Sequence, residues 1–386
     1  MGESNTKYTM TGLTIPFTGL KKQYNNLRTE ILDVTDTVLR SGNLMNGNYT
    51  VEFENWLARK NRVKYAVTCH SGTHALEIIA SYWATLEPIP SWANAAAAGN
   101  PPRVLIPALT YAATANAFMR AGWDICFVDT DINGLMDLRK VPELMSYQAV
   151  VLIGLYGASI KDYGDFRIWN DWQLKDTIVI EDAAQHWLSA NCVRIGEAAA
   201  VSFDPMKNLA CYGNGGAVLT DNMDLASYAR SWRDNGKPTH SETGTNSRMS
   251  EIDCASMMVK SKHIDKWQAR RATISEYWCD RAKNSSVRCL INKRNSADHS
   301  FHKFVIEVDD RDHLRRELDV RKIETKIHYA NPLHEIGTFQ QWPGPGILSV
   351  ASSLSRRIIS LPLYPELTDL EVEYIIDQVL EVARIK

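Results

Sequence analysis

The sequence predicts an α/β protein, a large domain with a mostly parallel seven-stranded sheet between helices and a smaller C-terminal α+β domain after it. Three observations predict this. Short apolar runs alternate with stretches of helical spacing through the first 220 residues. The texture changes near Glu251, where a long helical stretch without Pro or Gly begins. At 386 residues the chain is too long for one small core. The predicted boundaries are 1–250 for the large domain, with an N-terminal arm over about 1–25, and 251–386 for the smaller one.

Taken in order, the strand-like runs are KYAVTC (64–69), RVLIP (103–107), DICFVD (124–129), AVVLIG (149–154), TIVIED (177–182), AAAVSF (198–203) and GGAVLT (215–220). They are continuous apolar runs, as expected of strands covered on both faces. Gly72–Ala84 and Tyr111–Ala121 have helical spacing between them. In the second part, Glu251 to about Lys283 reads as one helix. HKFVIEVD (302–309) and ETKIHY (324–329) read as strands, Arg311–Leu318 as a charged helix, and a last helix starts at Thr368. Thr368-Asp-Leu-Glu371 has the capping-box pattern, a Thr followed three residues later by Glu. The alanine-rich SWANAAAAGNPP (91–102) reads as a surface excursion.

Composition narrows the function. The chain is 45% hydrophobic and 23% charged, as soluble globular proteins are. Lys plus Arg number 43 against 45 Asp plus Glu, a net charge of −2, so nothing in the balance favours nucleic acid or an anionic membrane. No apolar run reaches a membrane span's ~18 residues. Seven cysteines without a C-x-x-C pair read as reduced thiols of a cytoplasmic protein, not a disulfide frame or zinc site. The start, MGESNTKYTM, is no signal peptide. It fits a loose myristoylation pattern that nothing else supports.

Open α/β sheets hold ligands at the carboxyl ends of their strands, so the segments just after each run were compared. After KYAVTC comes HSGTHAL, where Gly72 and Thr73 at a helix start offer free N–H groups and a hydroxyl to a phosphate. A plain N-cap is the bland alternative. TIVIED ends on Asp182, with Gln185 three residues on. A buried carboxylate needs a cationic or hydrogen-bonding mate, and a protonated pyridine nitrogen is one. The P-loop alternative lacks its G-x-x-x-x-G-K-[ST] partner. After AAAVSF, with Ser202, comes Asp204-Pro-Met-Lys207 and then Gly213, Gly215 and Gly216. Lysines in loops are ordinarily solvated, but a desolvated one becomes a nucleophile toward aldehydes. Tyr111 follows RVLIP. A phosphate seat, a carboxylate, a stacking ring and a lysine together suit pyridoxal phosphate. His70 and His74 have metal-ligand spacing, and His299 and His302 read as a strand-edge coincidence.

The ordered elements IPFTGLKKQY, SGTHAL, IPALTYAATANA, FVDTD, IEDAAQ, SFDPMKNLACYGNGGAV, GTNSRMSEID and IHYANPLHE are similar to those of the DegT/DnrJ/EryC1/StrS sugar aminotransferases. That family has the aspartate-aminotransferase fold (fold type I of the pyridoxal-phosphate enzymes). The resemblance implies a Schiff-base and proton-shuttling role for Lys207 and a pyridinium partner in Asp182. It implies contacts of Gln185 with the cofactor's 3-oxygen, of Tyr111 with the ring face, and of Gly72, Thr73 and Ser202 with the phosphate. Asn246 would reach the phosphate of a neighbouring subunit, in a homodimer with composite sites. His328 and Tyr329 would face the substrate. The implied reaction is ping-pong transfer from L-glutamate or glutamine to a nucleotide-linked keto sugar, at C3 if the first and IHY elements are a guide. A cyclitol aminotransferase and a silent regulator binding the same ligands are the alternatives. The sequence differs from the family pattern at His186-Trp187, Asp204 and Ser247, and these differences are expected to bear on the substrate pocket.

Overall fold

The computed structural model describes residues 14–85, 100–141, 147–160, 177–189, 192, 195–291, 298–342 and 346–384. The myristoylation pattern and most of the alanine-rich excursion lie outside these residues.

All seven apolar runs of the first part form strands of one sheet. They are β1 (Tyr65–Cys69), β2 (Arg103–Pro107), β3 (Asp124–Val128), β4 (Ala149–Ile153), β5 (Ile178–Asp182), β6 (Ala198–Ser202) and β7 (Gly216–Thr220). The sheet order is β1-β7-β6-β5-β4-β2-β3. β7 runs antiparallel to both its neighbours, while β6, β5, β4, β2 and β3 are parallel. Residues of β4 through β7 are buried along their whole length, which explains their unbroken apolar character.

Helices cover both faces. On one, helices Gly72–Thr85 and Ala112–Arg120 bury Ile78, Ile79 and Phe118 against Val67, Val151 and Ile180. On the other, helices Leu20–Ser41, Asn48–Asn61 and Glu251–Ser261 bury Leu27, Phe53, Leu57 and Met257 against Val201, Phe203 and Leu219. Glu251 ties this second layer together. Its carboxylate accepts from the N–H groups of Gly47 (3.0 Å), Tyr49 (2.6 Å) and Thr50 (3.1 Å), at the start of helix Asn48–Asn61. A negative charge is favourable at that helix end.

A second, antiparallel sheet has the order β10-β9-β8, from β8 (Arg288–Cys289), β9 (Phe304–Glu307) and β10 (Ile358–Leu361). Trp278, Phe304, Ile306, Leu318, Ile375 and Ile376 form its core with helices Ile264–Ala282, Arg311–Val320 and Asp369–Arg384. Ile15 of the N-terminal arm is fully buried in this same core. Its N–H donates to Lys322 O at 2.8 Å. The capping box forms: Thr368 N donates to Glu371 Oε2 (2.8 Å) and Glu371 N to Thr368 Oγ1 (3.2 Å).

Two expectations are corrected. The stretch from Glu251 is two helices, Glu251–Ser261 and Ile264–Ala282. At the break, Lys262 N and His263 N bond to carbonyls three residues back, Val259 and Lys260, which tightens and ends the first helix. ETKIHY is not a strand. It makes only the single bridge Lys326–Ser360, and the chain then turns into the cavity described next. None of the seven cysteines is joined in a disulfide. No helix among the described residues is long and apolar enough to cross a membrane.

Candidate active site

Four strand ends of the large sheet meet at one cavity of about 340 Å³. β1 supplies Gly72 and Thr73, β2 supplies Tyr111, β5 supplies Asp182 and Gln185, and β6 supplies Ser202, Asp204 and Lys207. The wall opposite comes from the second part of the chain, with His302, Lys303, His328 and Tyr329. All but one of the residues expected from the sequence therefore converge. The exception is Asn246, which is exposed and bridges Asp234 without lining the cavity.

The turn after β1 is held against β6 and β7 by two glycines. A Cβ on Gly72 would lie 2.7 Å from Ser202 Cβ, and one on Gly216 would lie 2.3 Å from the Ser71 carbonyl carbon. Neither contact is tolerable, so the helix N-terminus at Gly72 and the Ser202 hydroxyl stay side by side. That arrangement is suited to an anion.

Asp182 is 6% exposed. It accepts from Thr114 Oγ1 at 2.7 Å and from Ala184 N at 3.2 Å, both neutral donors. A buried carboxylate so placed fits a cationic ring nitrogen. Tyr111, 60% exposed, holds its ring 5.8 Å from that of Tyr329, with 29° between the planes. The residues present thus fit pyridoxal phosphate: anion seat, carboxylate, aromatic face and lysine.

Gln185 is fixed from both ends. Its Oε1 accepts from Tyr156 N at 2.8 Å, and its Nε2 donates to Tyr329 Oη at 3.1 Å. Tyr156 in turn donates its hydroxyl to His328 O at 2.5 Å. Burial raises the proton affinity of the Tyr329 phenol, so it stays neutral. Burial lowers that of the Lys207 amine, while Asp182 and Asp204 oppose the shift. The balance leaves more free amine at neutral pH than an exposed lysine has.

His302, to which the sequence reading gives no role, lines the cavity wall. It is buried, with Nδ1 3.3 Å from Gln185 Oε1 and Nε2 3.2 Å from Met206 O. Burial holds its proton affinity well below that of ordinary histidine. Lys303 and Thr114 were also missed. No local signal marks any of the three, since each acts on a residue far away in the chain.

The departures from the family pattern resolve differently. His186 and Trp187 do not line the cavity. Trp187 packs on Trp56 and Phe203. His186 Nδ1 accepts from Gly154 N at 3.1 Å, so its Nε2 carries the proton toward Glu181 Oε2 at 3.2 Å. Glu181, His186 and Cys192 lie within 4.8 Å of one another, but this tautomer leaves no lone pair on Nε2 for an ion. Ser247 is buried behind the cavity, its hydroxyl 2.6 Å from His74 Nδ1. His70 turns instead to Asn214, at 3.4 Å. Only Asp204 faces the cavity. It caps the lysine turn by accepting from Met206 N at 2.9 Å.

A profile of the DegT/DnrJ/EryC1/StrS aminotransferase family matches residues 25–380. The chain is 32% identical to the pleiotropic regulatory protein of Geobacillus stearothermophilus, over 96% of this chain and 99% of that protein. It is 31% identical to dTDP-3-amino-3,4,6-trideoxy-alpha-D-glucose transaminase of Streptomyces venezuelae, over 95% of this chain and 96% of that one. Among solved structures, it superposes on S. venezuelae DesV, crystallised in complex with a ketimine intermediate. The TM-score is 0.86 at 29% identity, covering 97% of this chain and 99% of DesV.

Proposed function

Because the chain belongs to the DegT/DnrJ/EryC1/StrS aminotransferase family, we propose that it transfers an amino group from L-glutamate or glutamine to a nucleotide-linked keto sugar, with pyridoxal phosphate held around Lys207. The observation that carries this reading is the convergence of Gly72, Thr73, Tyr111, Asp182, Gln185, Ser202 and Lys207 on one cavity. C3 is the favoured position, on the likeness to a 3-amino-sugar transaminase.

When bound, the cofactor supplies an aldehyde carbon for amines and a cationic ring that accepts the electron pair left by deprotonation. The chain's residues do the rest. Lys207 offers as nucleophile an amine whose proton affinity burial lowers, and the same nitrogen then carries a proton to and from the substrate carbon. Asp182 stabilises positive charge on the ring nitrogen, held in place by Thr114. Gln185 Nε2, which donates to Tyr329 Oη, would hydrogen-bond the ring's 3-oxygen when the cofactor is bound. Gly72, Thr73 and Ser202 bind the phosphate. Tyr111 covers one ring face, and His328 and Tyr329 meet the sugar.

We assign Asn246 to the phosphate of a second subunit. Its exposure outside its own cavity supports this, as do the exposed apolar side chains of Leu39, Leu44, Met45 and Val51, which suit a homodimer face.

A single-turnover assay tests the proposal. Loaded protein given glutamate or glutamine should release the keto acid, and a nucleotide-linked 3-keto sugar should then be aminated. Release of no keto acid from either donor would favour a regulator instead. That reading is weakened by the presence of the full residue set.

A further inference from the structure

We propose that Lys303 seats a carboxylate of the amino donor on the cavity wall beside Lys207. The inference rests on the aminotransferase reading and names the group by which that site holds an amino acid.

Lys303 immediately precedes β9 and is 6% exposed, yet it lines the Lys207 cavity. Its Nζ donates to one acceptor, Met206 O, at 3.1 Å. His302 Nε2 faces that same carbonyl at 3.2 Å. No carboxylate among the described residues forms an ion pair with Lys303. The charges acting on it are mostly of its own sign: Lys207, Arg271 and Lys326, against Asp204 alone. Burial first, and these cations next, hold its proton affinity well below the lysine value. Both effects favour the uncharged form, and an anion bound beside the amine favours the protonated form that pairs with it.

The chemistry of the two substrates selects the anion. In an amino acid the α-carboxylate is bonded to the very carbon from which Lys207 moves a proton, so it must lie next to Lys207. The diphosphate of a nucleotide sugar is separated from its keto carbon by the sugar ring. The carbonyl that anchors Lys303 belongs to Met206, one residue before Lys207. The hydroxyl groups of a keto sugar ring can hydrogen-bond the amine without bringing a charge to it. One cavity can thus take the donor's carboxylate and the acceptor's sugar ring in turn at this wall, with a proton from solvent taken up at Lys303 in the first case and returned in the second.

The test uses the cofactor-loaded protein and glutarate, which has both carboxylates of glutamate and cannot react. Calorimetry in two buffers of different ionisation heat should show net proton uptake on glutarate binding, and affinity should fall as pH rises. Competitive acetylation followed by peptide mass mapping should show Lys303 shielded by glutarate, by about tenfold for each unit its proton affinity rises. Lys303→Met should remain coloured but lose the proton uptake and most of the glutarate affinity. Lys303→Arg should recover affinity without proton uptake. The wild-type labelling stands alone if either variant fails to fold. Shielding by uridine diphosphate and not by glutarate would make this a diphosphate seat and overturn the proposal. A coloured protein whose Lys303 ignores glutarate overturns it while leaving the aminotransferase reading intact. A protein that captures no pyridoxal phosphate overturns both.

Discussion

The Thr114 hydroxyl donates to Asp182 Oδ2 at 2.7 Å, and both groups are buried at the end of β5. The hydroxyl fixes the carboxylate's orientation without supplying a counter-charge, so that role is left to a cationic ligand. Thr114→Val keeps the shape and removes the donor. A hydrogen bond to a charged group is worth about 1.5–3 kcal/mol, so cofactor affinity should fall roughly tenfold to a hundredfold. Absorbance titration with pyridoxal phosphate measures this, and Thr114→Ser should restore it.

Gly72 allows the anion seat to form. An added methyl would stand 2.7 Å from Ser202 Cβ and 3.2 Å from Ser202 Cα, and a backbone atom cannot swing away. Gly72→Ala should cost about 1–3 kcal/mol of stability. It should also weaken inorganic phosphate and pyridoxal phosphate binding together, as seen by thermal melts with and without each ligand.

Acid should destabilise the protein before its carboxylates protonate. Burial pushes both His299 and His328 down to about 3 from 6.5. Between these values the unfolded chain binds protons that the folded one refuses, so stability is complete above 6.5 and declines as pH falls toward 3. Urea melts across this range should show the decline. His299→Phe, at a 5% exposed site, should flatten part of it.

The assignment of Asn246 to a second subunit's site predicts complementation. Asn246→Asp would place a negative charge against a phosphate in the partner's cavity, and Lys207→Ala removes the amine from its own. Each variant alone should be inactive. Mixed after mild dissociation, they form dimers with one intact site, and activity should return to a fraction of wild type. Failure to complement in mixed dimers would place Asn246 in its own subunit's site, and an active Asn246→Asp would place it outside any.

Much of this was legible in the sequence because it is local. Each strand of the large sheet is a continuous apolar run, and the Thr368–Glu371 capping box is a three-residue pattern. Lys207, Asp182 and Gly72 stand out because each ends a strand or closely follows one. What was not legible depends on pairing across long distances. Thr114 looks like any helix threonine until β5 brings Asp182 to it from 68 residues away. His302 acquires its role from Gln185, 117 residues earlier. The break between helices at Lys262 does not interrupt the apolar spacing, so periodicity runs through it. His186 and Trp187, beside the site in sequence, turn into the core because the chain makes a tight turn after Asp182.

The central claim is that Lys207 is the amine that holds the cofactor. Borohydride reduction of the protein loaded with pyridoxal phosphate, followed by peptide mapping, tests it most directly. The account predicts one pyridoxyl-phosphate group per chain, on Lys207, and none on the Lys207→Ala variant, which should also lose at least about a thousandfold in rate. A label on Lys303 or on a surface lysine, with Lys207 unmodified, would contradict it.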